Sequence, residues 1–147
     1  MSSHRAQRRV ARIQAARSSR PLQPPASEEK DGAYDDGAWC DMQMDLIREI
    51  IKEIDGREAH VTWCIEGIED LDVIAAKGPC LFSTYDADGQ EVYQSAVWDN
   101  PTWLEIAFIA DESLDMTGDL DHHFLEGVSP AGVALTGEQR FTLQFGS

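Results

Sequence analysis

The chain has 147 residues, with 12 Lys and Arg against 27 Asp and Glu, and a formal net charge of −15. That length suggests one domain, and a hydrophobic share of 42% supplies a core and excludes a wholly disordered chain. The longest unbroken apolar run, Ile106 to Ala110, is five residues, against about 20 for a membrane-spanning helix.

The charge divides along the chain. Residues 1–27 contain Arg5, Arg8, Arg9, Arg12, Arg17 and Arg20 and no acid, a charge of +6, whereas residues 28–147 carry −21. Such a block marks an interaction tail beside a folded body. The sequence therefore divides into residues 1–37, a basic arginine-rich arm with a Pro/Ser/acidic linker, and residues 38–147, an acidic α+β domain.

In the arm, Ala6, Val10 and Ile13 fall on one side of a helix and Arg5, Arg8 and Arg12 on the other. The apolar stripe is thin and an isolated helix this short is marginal in water, so the arm is expected to be mobile unless something holds it. Ser18 to Ser27, with three prolines, reads as a stiff linker. Three readings compete for the arm: a solvated tail, a docking segment for nucleic-acid phosphate or an acidic protein surface, and a cleaved organelle transit peptide.

Within the body, a first helix is expected over Ala38–Asp55, with Leu46, Ile47, Ile50 and Ile54 on one face and Gly56 as its stop. His60–Glu66 alternates as a strand, and Ile68–Lys77 reads as a short helix. Cys80–Tyr85 and Glu91–Trp98 flank Asp88-Gly89 as a hairpin. The best-marked helix follows, capped by Asn100, opened by Pro101 and ended by Gly118, with Trp103, Ile106, Ala107, Ala110 and Leu114 inward. Strands are expected near His122–Val128 and at Arg140–Phe145. The fold class is α+β: a single small domain with a mostly antiparallel sheet of about five strands and two to three helices on one face.

Few residues suggest bond-making chemistry. Asp86, Asp88 and Gly89 faintly resemble a calcium loop, but position 12 is Val97, so a hairpin turn is preferred. Asp119, Asp121 and His123 form the best candidate metal set, three ligands around a strand entry; exposed polar positions are the plainer reading. Cys64 and His60 are about 13 Å apart along a strand, too far for a nucleophile pair. The three cysteines lack a C-x-x-C spacing, which fits a reducing compartment or indifference to redox, and are expected to be core or half-buried residues. No cofactor is indicated. Trp39, Trp63, Trp98 and Trp103 are expected to pack, with Trp39 a contact anchor if exposed.

The acids are more informative. Glu105, Asp111, Glu112 and Asp115 fall on the solvent side of the central helix, and Asp119 and Asp121 extend the cluster. Such a face could pair with a basic groove and imitate nucleic-acid phosphates, or could simply aid solubility. The leading expectation is a non-catalytic protein-binding module, such as an inhibitor, accessory factor or assembly subunit. Its acidic domain would dock on a basic partner surface with the arm as a second contact. The alternatives are a small metal-dependent enzyme or metal-binding protein using Asp119, Asp121 and His123, and an organelle-matrix protein freed of its leader. A cytoplasmic location is otherwise expected.

Overall fold

The computed structural model describes residues 4–20, 36–65, 71–118 and 121–146. The basic arm contains helix α1 (His4–Ser18), and α2 spans Asp36–Asp55. Strands β1 (Thr62–Trp63), β2 (Pro79–Tyr85), β3 (Glu91–Gln94) and β4 (Trp98–Asp99) precede α3 (Trp103–Thr117), and β5 (Phe124–Val133) and β6 (Gln139–Gly146) complete the chain. The result is a small α+β domain.

The sheet runs β1-β5-β6-β2-β3, with β4 also pairing β2. It is mixed: β1 pairs β5 and β2 pairs β6 in parallel, whereas the β5–β6, β2–β3 and β2–β4 pairs are antiparallel. The expectation of a mostly antiparallel sheet is refined accordingly. Alternation along a strand says which residues face inward, but carries no information on direction. Direction was decided by the long connections, α3 among them.

Helix α3 lies at the centre. Leu104 and the unbroken run Ile106–Asp111 are buried, as are Ser113 and Leu114, so the helix is enclosed on nearly all sides. Its Ser113 hydroxyl meets that of Thr84 on β2 at 3.1 Å. Helix α2 packs on α3, and α1 packs on α2. Phe82 of β2 stacks on Phe141 opposite it in β6, ring centroids 5.4 Å apart.

The cap of α3 is Thr102 rather than Asn100. Thr102 Oγ1 accepts from Glu105 N and Glu105 Oε1 accepts from Thr102 N, a reciprocal capping box. Asn100 instead adopts φ 50 and accepts from Gly78 N through its side chain, tying the end of β4 to the start of β2. Gly118 ends the helix in the left-handed region, as its position implies.

Three expected elements are altered for identifiable reasons. Of the helix expected at 68–77, residues 68–70 lie outside the described residues and 71–77 form turns. The carbonyls of Leu71 and Val73 accept from Leu104 N and Trp103 N, satisfying donors that the first turn of α3 leaves open. Gln43, buried in α2, holds this segment by accepting from Leu71 N at 2.7 Å. The strand expected at 60–66 shrinks to Thr62–Trp63; Glu66 lies outside the described residues. The amides of His60 and Val61 donate to the Asp111 carboxylate. The expected strand at 91–98 breaks after Gln94, where the Ser95 hydroxyl accepts from Phe82 N and donates to Ala96 O.

Candidate interaction site: an ionic network beneath the basic helix

The basic segment expected to be mobile is packed on the body. Val10 is 8% and Ile13 1% exposed, both within the main core cluster, and Ala6 and Ala16 pack against it. These four recur along α1 at helical spacing, so the thin stripe seen in the sequence faces the body, with Val10 and Ile13 buried and Ala6 and Ala16 partly so. Helix α1 thereby brings its arginines against α2 and α3.

Arg9 is the centre of the contact. Its guanidinium donates to both oxygens of Asp55, at 3.3 and 2.6 Å, and to Glu112 at 2.6 Å. One side chain thus joins the end of α2 to the middle of α3. The other Glu112 oxygen accepts from the Tyr93 hydroxyl at 2.6 Å. Arg57, just past α2, sits 3.5 Å from Asp55, donates to Asp111 at 2.7 Å and lies 3.3 Å from Asp115. His60 meets the same Asp115 oxygen at 3.3 Å. Arg17 pairs with Asp72 at 2.8 Å, Arg20 pairs with Glu53, and Gln14 donates to Glu105 at 3.0 Å.

The charges of this network reinforce one another. Burial would raise the Asp55 pKa, but the hydrogen bond and charge of Arg9, with Arg57 and Arg12 nearby, outweigh it and hold the carboxyl below its ordinary value. Burial likewise opposes the charge on Arg9, yet its Asp55 hydrogen bond and the charges of Glu112 and Asp55 raise its pKa. Burial and the Glu112 carboxylate push the Tyr93 phenol well above its ordinary value.

The acidic positions singled out from the sequence divide into three groups. Asp111 is fully buried rather than on the solvent side, because it receives Arg57 and two backbone amides. Glu105 is held in the capping box and by Gln14, and Glu112 by Arg9 and Tyr93. Asp115 remains 46% exposed although paired, and Asp121 is exposed. Asp119 lies outside the described residues. Of the arginines, Arg9, Arg17 and Arg20 hold the body. Arg5, Arg8 and Arg12 are exposed and line a cleft of about 900 Å³, together with Asp55, Gln94 and Met116 among others.

Arg57 and Tyr93 were not singled out from the sequence. Tyr93 falls on the inward side of an alternating strand, which hints at burial but not at an acidic partner. Nothing around Arg57 distinguishes it from a surface arginine.

Of the candidate metal set, Asp121 and His123 are described and Asp119 is not. Among the described residues no group of three or more His, Cys, Asp or Glu could hold a metal ion. His123 contacts the Thr62 hydroxyl at 3.2 Å and packs its ring on Phe124. Asp86 is a turn residue, its carboxylate accepting from Asp88 N and Gln90 N. Cys64 is exposed, not half-buried, and Cys80 is buried; partial desolvation, with Glu126 near Cys64 and Asp99 near Cys80, raises both thiol pKa values. Trp39, Trp63 and Trp98 are buried and Trp103 half-buried. No described helix is long and apolar enough to cross a membrane. Comparison of the chain with protein-family models, with curated proteins and with solved structures finds no match.

Proposed function

We propose that the protein is a non-catalytic interaction module whose acidic body recognises basic protein surfaces. The observation that carries this reading is Arg9 spanning Asp55 and Glu112: the body already binds one basic amphipathic helix, its own. The packing of that helix supports the reading by example: an apolar stripe against the core and guanidiniums on carboxylates. Asp55, Asp111 and Glu112 serve that internal contact. The exposed acids that form a row are Asp41, Asp45 and Glu49 on α2, at spacings of four, with Asp45 also paired to Arg48 at 2.6 Å; Asp115, partly engaged by Arg57 and His60, and Asp121 are exposed as well. A row with that spacing lies on one helix face and presents its charge along a line.

This reading assigns α1 to the fold, since Val10 and Ile13 are part of the core, and argues against a removable leader. A cytoplasmic location is part of the same proposal.

The test is titration of a lysine-rich helical peptide into the full chain at low and high salt. Binding is expected to weaken steeply with salt, because the contact is between exposed charges. Neutralising Asp41, Asp45 and Glu49 together is expected to weaken it far more than neutralising Asp86, Asp88 and Glu138, which are equally exposed elsewhere. Equal losses in the two triple variants would reduce the acidic row to general charge and sink the reading.

A further inference from the structure

We propose that the cleft beneath α1 is a binding site for a small anion carrying two or more linked phosphates. The proposal is independent of the reading above, because it uses the arginines that do not hold the body.

Arg5, Arg8 and Arg12 recur at spacings of three and four and line one wall of the cleft of about 900 Å³. All three are exposed, and of the three only Arg12 lies close enough to Asp55 to help hold its pKa down. Their Cα atoms span roughly 10 Å along the axis at a rise of about 1.5 Å per residue. Together with Arg9 they form like-charge neighbours three and four apart, an arrangement that weakens a helix. No acid lies in the first turn to relieve it. Asp55 and Glu112 offset Arg9, and Asp55 offsets Arg12 in part, so the breach of this local rule, on a helix whose Val10 and Ile13 are in the core, leaves Arg5 and Arg8 open to an external counter-charge. The guanidinium fork matches phosphate oxygens bidentately.

The charge distribution limits the size of the ligand. The cleft is lined by five arginines and by Asp55, Glu112 and Asp115, a local charge of +2. The whole chain carries −15, so the rest carries −17. A long polyanion would run from the cleft onto repelling surface, whereas a compact one can sit within it. Pockets of roughly 300–1,000 Å³ suit small molecules. Fixing the arginines on a docked helix lowers the ordering cost of binding relative to a free tail.

The experiment is calorimetric titration of the full chain with sodium tripolyphosphate at low and moderate salt. One-to-one saturable binding is expected, weakening with salt. The triple variant Arg5→Gln, Arg8→Gln, Arg12→Gln is expected to bind at least ~10-fold more weakly, the loss that follows from removing a charge-assisted hydrogen bond. Arg48→Gln, outside the cleft, is expected to bind as the parent does. Gln is a good helix former and removes repulsion, so the triple variant should retain its thermal midpoint; if it does not, Arg8→Gln alone carries the comparison. Adenosine triphosphate bound more tightly than tripolyphosphate would identify a nucleotide, and equal binding a bare phosphate chain; either supports the site. Absence of saturable binding, or unchanged binding by the triple variant, overturns it. Tighter binding of a 20-nucleotide single-stranded RNA than of tripolyphosphate also overturns it, since the ligand would then be a nucleic acid.

Discussion

The Arg57 guanidinium donates to Asp111 Oδ2 at 2.7 Å, and Asp111 is fully buried while Arg57 keeps partial access to water. The other Asp111 oxygen accepts from His60 N and Val61 N, so one carboxylate in the central helix anchors the chain as it leaves α2. Removing the carboxylate leaves the His60 and Val61 amides without their acceptor, while Arg57 keeps Asp55 and Asp115. Asp111→Ala is expected to cost about 2–4 kcal/mol, measured by urea unfolding. A loss under about 1 kcal/mol would show that water replaces the carboxylate freely.

Ile13 is the deepest residue of α1. Ile13→Ala is expected to cost about 2–5 kcal/mol, the range for truncating a buried Ile, and to raise hydrogen exchange across residues 4–18. Exchange in α1 that is already rapid in the parent protein and unaltered in the variant would contradict the packing described.

Acid should loosen the contact between α1 and the body. Asp55 has a folded pKa below its ordinary value, so the unfolded chain binds its proton first as pH falls. Its contribution is present above the unfolded value, about 3.9, and is lost as pH falls through the depressed folded one. Arg9→Gln should remove much of that pH dependence, giving a flatter stability profile below about pH 4. A parent and variant with parallel acid limbs would show that Arg9 does not set the Asp55 titration.

Tyr93 should ionise only well above the pH at which a free phenol does. Burial and Glu112 raise its pKa well above the ordinary value, so the folded chain holds the proton that the unfolded chain gives up. The contribution is intact below the unfolded pKa of about 10 and lost as pH rises through the folded value. Spectrophotometric titration of the parent and Tyr93→Phe should differ only at the high-pH end. A difference near pH 10 would mean an exposed phenol.

Thr102→Ala should cost about 1 kcal/mol, the usual value of a helix cap. Asn100→Ala should act differently, by releasing Gly78 N and a left-handed turn rather than by uncapping α3. Thermal unfolding of both distinguishes the cap from the turn: an unchanged midpoint for Thr102→Ala would place the cap elsewhere.

Much of the fold is readable from local chemistry. Helix α2, the Asp88-Gly89 hairpin, the central position of α3 and its Gly118 stop follow from periodicity, turn residues and capping preferences, which act within a few residues. The stripe of Ala6, Val10 and Ile13 and the opposed arginine row were also visible, as was the contrast between a cationic leader and an anionic body. What tertiary structure alone decided was where those charges meet. An Asp on a helical wheel looks the same whether it faces water or Arg57, because its partner lies 54 residues away in the chain. Segment 71–77 reads as helix by composition, yet its carbonyls turn to α3, an alternative hydrogen-bond partner that no local pattern encodes. Strand direction and the docking of α1 share that cause: both depend on long-range contacts whose energies arise only once the core assembles.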